Sequence, residues 1–158
     1  PEERNFWWKL NHNLVSIKKT EAKYKRNKEG NLTSPMCPIC KTTEETRDHY
    51  NYDCNQLAIF RKKIANLIGE EDFTKEQWTL NDKTNQNTTN ILIAKARWIF
   101  HCERCNVDHR KKKRINHKTA LQKTNKRMTI ITNNFEEIRK QTEEITTLTH
   151  NNNNRQES

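Results

Sequence analysis

A mainly α fold is predicted by three observations. Glycine and proline are scarce: Gly30, Gly69, Pro1, Pro35 and Pro38 are the full set, and none falls between Glu70 and Ser158. Sheets need turn residues between strands, so this scarcity favours helix. Apolar residues recur at three- and four-residue spacings along several stretches, as one face of a helix requires. The composition is also very polar, 31% hydrophobic against 32% charged over 158 residues. Such a chain supports only a small core, so either part of it stays extended or a bound metal adds stability.

The elements follow in order. Residues 6 to 26 read as a first helix, with Phe6, Leu10, Leu14 and Ile17 on one stripe and Trp7 beside them. Lysines crowd its C-terminal half, where cations suit the helix dipole. Gly30 and Asn31 end it, and Ser34-Pro35 opens a cysteine segment. A second helix follows Cys54, carried by Leu57, Phe60, Ile64, Leu67 and Ile68, with Gly69 as its stop. Residues 72 to 90 are polar and read as a loop with Phe73 and Trp78 as anchors. A third helix spans about 90 to 109, with Ile91, Ala94, Trp98, Cys102 and Cys105 as its stripe, helped by Ile99. Beyond a basic run, Leu121, Met128 and Phe135 recur every seven residues, as do Ile131, Ile138 and Ile145, an a/d pattern in which Thr124 and Thr142 also fall. The Asn-rich end reads as disordered.

Four residues carry the chemistry. Cys37 and Cys40 form a CxxC turn, eight residues separate Cys40 from His49, and four separate His49 from Cys54. Three thiolates and an imidazole complete the tetrahedron of one structural Zn²⁺ and leave no position for a catalytic water. A redox dithiol usually opens a helix after a strand, a context not visible here. His101, Cys102, Cys105 and His109 form a second cluster. It reads as core cysteines continuing the Trp98 stripe, with a second metal left open.

The net charge is +10, from 30 Lys and Arg against 20 Asp and Glu. Nucleic acid is the partner such a balance favours. A membrane is not expected, since no apolar run nears the roughly 18 residues of a span. No apolar h-region follows the first residues, and an odd cysteine count argues against a secreted disulfide framework. An intracellular setting is expected. The start at Pro1 suggests a piece of something longer. The candidate nucleic-acid contacts are Lys18, Lys19, Lys23, Lys25, Arg26, Arg61, Lys62 and Lys63, with the run Arg110, Lys111, Lys112, Lys113 and Arg114. That run also suits a nuclear localisation signal or a solvated charged face. Tyr50 and Tyr52 are candidates to stack on unpaired bases or to pack around the metal.

The string Cys37-Pro38-Ile39-Cys40, then Glu45-Thr46, His49 and Cys54, resembles the zinc-binding domain at the C-terminal end of reverse transcriptases from non-LTR (LINE-type) retrotransposons. The resemblance covers about residues 6 to 68 and, weakly, 90 to 109, and includes Phe6-Trp7-Trp8-Lys9-Leu10 ahead of the site. Where that family often has glycine after the second cysteine, Lys41 stands here; Tyr50 and Tyr52 replace leucines. Eight residues between Cys40 and His49 also separate the motif from the shorter retroviral nucleocapsid knuckle. The resemblance implies a module of a polyprotein with a polymerase upstream. The chain has neither the paired aspartates of a polymerase nor an endonuclease constellation, so it is expected to be non-catalytic.

Together these readings place a zinc-binding helical domain over residues 1–109, with its site at 37–54, and a basic, coiled-coil-like tail over 110–158. The expected function is a structural-zinc module that binds RNA or single-stranded DNA in the nucleus. The alternative is a zinc-scaffolded protein–protein module that forms a homodimer through residues 118–148. A labile redox or metal-sensing site is a further rival.

Overall fold

The computed structural model describes residues 2–84, 86–109, 112–134 and 136. They are mainly helical. In order come α1 (Glu2–Asn11), the single turn α2 (Lys18–Glu21), a π-helical turn (His49–Asp53), α3 (Asn55–Asn66), the single turn α4 (Lys75–Trp78) and α5 (Asn87–Asp108). Residues 117–134 form a further helix, α6. The described residues form no strand, only two isolated antiparallel bridges, Arg26 with Leu32 and Met36 with Glu44. The chain divides into two compact units, 1–124 and 125–158.

The core of the first unit is built where α3 and α5 meet. Phe60 and Phe100 stack across that contact at 5.4 Å, and Phe60, Ile64, Ile93 and Ala96 are fully enclosed. Phe6 brings α1 to the same core, stacking on His101 at 4.6 Å and packing on Trp98 at 5.3 Å. Burial of such side chains supplies about 1.5–3 kcal/mol each, so a small aromatic core can hold this polar chain.

Three sequence expectations change. The first helix does not run from 6 to 26. It ends at Asn11, and Asn13 takes a positive φ of 56°. The Arg47 guanidinium donates to the Asn13 and Val15 carbonyls at 2.8 Å each, holding the chain extended where helix was expected. Leu14 consequently lies 57% exposed, while Val15 and Ile17 turn inward. Second, the loop over 72 to 90 contains α4. Thr74 and Gln77 form a reciprocal capping box there, which turns Trp78 into full burial, stacked with Phe73. Third, α5 is rotated from the expected stripe. Its most buried positions are Leu92, Ile93, Ala96, Ile99 and Glu103, while Cys102 and Cys105 are half-exposed.

The second helix matches its reading closely: α3 ends at Asn66, and Gly69 follows at φ 80°, the left-handed conformation glycine adopts without a steric penalty. After α5, the chain packs back through Ile115 and Ala120, both buried. His117 bonds Gln56 at 2.9 Å and stacks on Phe60. Of the heptad residues, Leu121, Met128 and Ile131 are described and half-buried; Phe135, Ile138, Thr142 and Ile145 lie outside the described residues.

Candidate metal centre

Local structure gathers the four predicted ligands. The chain approaches Cys37 through a two-rung ribbon: Cys37 N–H donates to the Thr43 carbonyl and Glu45 N–H to the Pro35 carbonyl, both at 2.9 Å. Beyond the Cys37–Thr43 rung the CxxC turn closes with Lys41 N–H on the Cys37 carbonyl at 3.0 Å. Lys41 itself sits at φ 60°, in the left-handed region. The other two ligands bracket the π-helical turn. The Cys54 N–H donates to the His49 carbonyl at 3.2 Å, an i to i+5 bond that places residues five apart together. Thr46 Oγ1 accepts from His49 N–H at 3.1 Å and starts that turn.

The four ligand atoms lie within 4.8 Å of one another, and Cys37, His49 and Cys54 are buried. Cys40 Sγ stands 3.4 Å from His49 Nε2. A tetrahedral zinc, with Zn–S near 2.3 Å and Zn–N near 2.0 Å, sets neighbouring ligand atoms about 3.5–3.8 Å apart. The donor set and its dimensions therefore fit one such ion. A hydrogen bond between the Cys54 and Cys37 thiols holds Cys54 below the usual thiol range, and the Leu57 and Gln56 amides at the start of α3 reinforce it. The same contact, with burial, pushes Cys37 up. Metal binding requires the thiols deprotonated, so its affinity falls as pH falls.

Around the centre, Glu45 is enclosed and binds three elements together. Its two oxygens accept from Arg104 Nε and Nη2 of α5, and Oε2 also accepts from Lys18 N–H at the start of α2. Tyr50 hydrogen-bonds His101 Nδ1 at 2.7 Å. Tyr52 donates to the Phe73 carbonyl, with the Arg61 guanidinium 3.8 Å over its ring. Both tyrosines are thus engaged in packing.

The second cluster does not assemble. Cys105 Sγ reaches His101 Nε2 at 3.6 Å, but among the described residues only the Cys37 group brings three or more metal-ligand atoms together.

The candidate nucleic-acid contacts divide. Lys19, Lys23, Lys25, Arg26, Lys62, Lys63, Lys113 and Arg114 are exposed. Arg61 is not available: it is 5% exposed and bonds both oxygens of Asp72. Lys18 is largely covered, between Glu21 and Asp108. Lys112 reaches back to the buried Glu103 at 2.6 Å, and Lys123 takes that carboxylate's other oxygen at 2.6 Å. Arg110 and Lys111 lie outside the described residues.

The fold and site thus define a mainly helical protein with a Cys3His group that could hold one metal ion. The chain matches no family model, no curated protein and no solved structure. Among the described residues, no helix is long and apolar enough to cross a membrane.

Proposed function

We propose that the chain is a structural-zinc module that presents a basic surface to RNA or single-stranded DNA. The convergence of Cys37, Cys40, His49 and Cys54 carries this reading, because a closed Cys3His set serves architecture rather than hydrolysis. Bound zinc would fix the CxxC turn and the π-helical turn against the start of α3. The basic surface is concentrated next to that centre: residues 19 to 41 carry six exposed Lys and Arg against two Glu. Lys23 and Lys28 in this stretch are exposed. Tyr24, 68% exposed, takes over from Tyr50 and Tyr52 as the aromatic offered to a base.

The resemblance to retrotransposon reverse transcriptases supplies the context of this proposal. It makes the chain a non-catalytic segment of a polyprotein, working in the nucleus beside an upstream polymerase. The test is binding of a labelled single-stranded oligonucleotide across salt. A surface that neutralises about four phosphates loses roughly 50-fold in affinity between 50 and 200 mM salt. No binding at the lower salt would overturn the nucleic-acid reading and leave the metal centre standing.

A further inference from the structure

Every other buried charge described above has an ionic partner: Arg61 with Asp72, Arg104 with Glu45, Glu103 with Lys112 and Lys123. Arg97 is the exception. It is 8% exposed, and among the described residues it has no carboxylate partner. Its one hydrogen bond goes to the neutral Asn51 Oδ1 at 3.2 Å, and its guanidinium stands 5.4 Å from the Trp7 ring centroid. A guanidinium carries five N–H donors. None of the Arg97 nitrogens is both sealed from solvent and without a partner, and Arg97 lines an open cleft. Burial lowers its pKa to about 10, so it stays cationic at neutral pH. A buried, uncompensated cation is costly unless an anion completes it.

The cleft has a volume of about 770 Å³ and lies among α1, the π-helical turn, α4 and the start of the loop after it. Trp7, Asn11, Asn51, Lys75 and Asn81 line it with Arg97. Its two carboxylates, Asp48 and Glu76, are exposed, and Lys75 holds Asp48 at 3.0 Å. The planar fork of arginine matches the oxygens of a phosphate. An indole face and several side-chain amides beside it suit the rest of a nucleotide. We propose that this cleft binds a phosphate group through Arg97. The site is separate from the exposed lysines of the nucleic-acid reading and stands or falls apart from it.

The test is thermal melting of the zinc-loaded full chain with inorganic phosphate, with a 5′-phosphorylated oligonucleotide and with the same oligonucleotide lacking that phosphate. The wild type and Lys83→Met, an exposed-charge control outside the cleft, should rise in Tm with phosphate. Arg97→Met should melt no lower than wild type in its absence and lose at least about tenfold in phosphate affinity, the loss expected for a charged hydrogen-bonding partner. A response to inorganic phosphate alone assigns a free phosphate ligand; a response that needs the 5′-phosphate assigns a strand end; equal response to both oligonucleotides assigns the backbone. Equal phosphate affinity in Arg97→Met and wild type overturns the site. Should Arg97→Met not fold, the Arg97 Nε–H resonance of the wild type decides: it shifts on phosphate addition, or the proposal fails.

Discussion

Arg104 on α5 grips both carboxylate oxygens of Glu45 beside the candidate metal centre, and the two residues are 6% and 1% exposed. The pair joins the cysteine ribbon to α5, and Glu45 also receives the first amide of α2. Breaking a buried pair on one side leaves the other charge uncompensated, at about 3–5 kcal/mol. Glu45→Gln should lose stability on that scale in urea denaturation. A variant as stable as the wild type would show that the pair does not hold the ribbon to α5.

Lys41 occupies a left-handed conformation at φ 60° directly after the CxxC turn. A side chain there costs about 1–2 kcal/mol relative to glycine, partly offset by the extra freedom glycine has when unfolded. Lys41→Gly should raise stability by roughly 0.5–1 kcal/mol and leave metal stoichiometry unchanged. An unchanged or lowered midpoint would mean the turn relaxes around the lysine without strain.

His101 is half-buried and stacks on Phe6, and its pKa is lowered to about 4, first by burial and then by the Arg104 and Lys9 charges. The folded state thus favours the neutral ring, while the unfolded chain protonates near the usual 6.5. The contribution is complete above pH 6.5 and drains away as pH falls toward 4, because the unfolded state then binds the extra proton. It amounts to at most roughly 3 kcal/mol. Comparing wild type with His101→Gln across that window separates this effect from acid loss of metal, which both share. Parallel stability curves would remove His101 as the cause.

Glu103 is fully enclosed. Burial by itself would raise its pKa, yet Lys112 and Lys123 hold it below the usual carboxylate range. It anchors the chain after α5. Glu103→Gln should loosen residues 117–124, seen as faster amide exchange there, with a loss of about 1–3 kcal/mol. Exchange at wild-type rates would locate the anchor elsewhere, in Ile115 and Ala120.

The metal ligands were legible because their signal is local: CxxC and the His49–Cys54 spacing each fit one turn. The α3 and α5 helices were legible from apolar spacing, and Gly69 marked a real end. The break after Asn11 was not, because Leu14 and Ile17 continue a helical spacing that only Arg47, far along the chain, overrides. The phase of α5 was misjudged for a related reason. Glu103 and Arg104 look like a solvated face, and only their partners elsewhere in the chain, Lys112 and Lys123 for one and Glu45 for the other, explain their burial. The same blindness hid the work of Glu45 and Thr46, one pairing with α5 and the other starting the turn that bears His49.

The central claim is a metal staple formed by Cys37, Cys40, His49 and Cys54. Its most direct test is elemental analysis of the full chain purified without added metal, alongside circular dichroism before and after chelation. One zinc per chain is expected, lost in Cys40→Ser together with much of the helicity, since folding and binding of such sites are coupled. A metal-free chain that keeps its full helicity and melts cooperatively would contradict it.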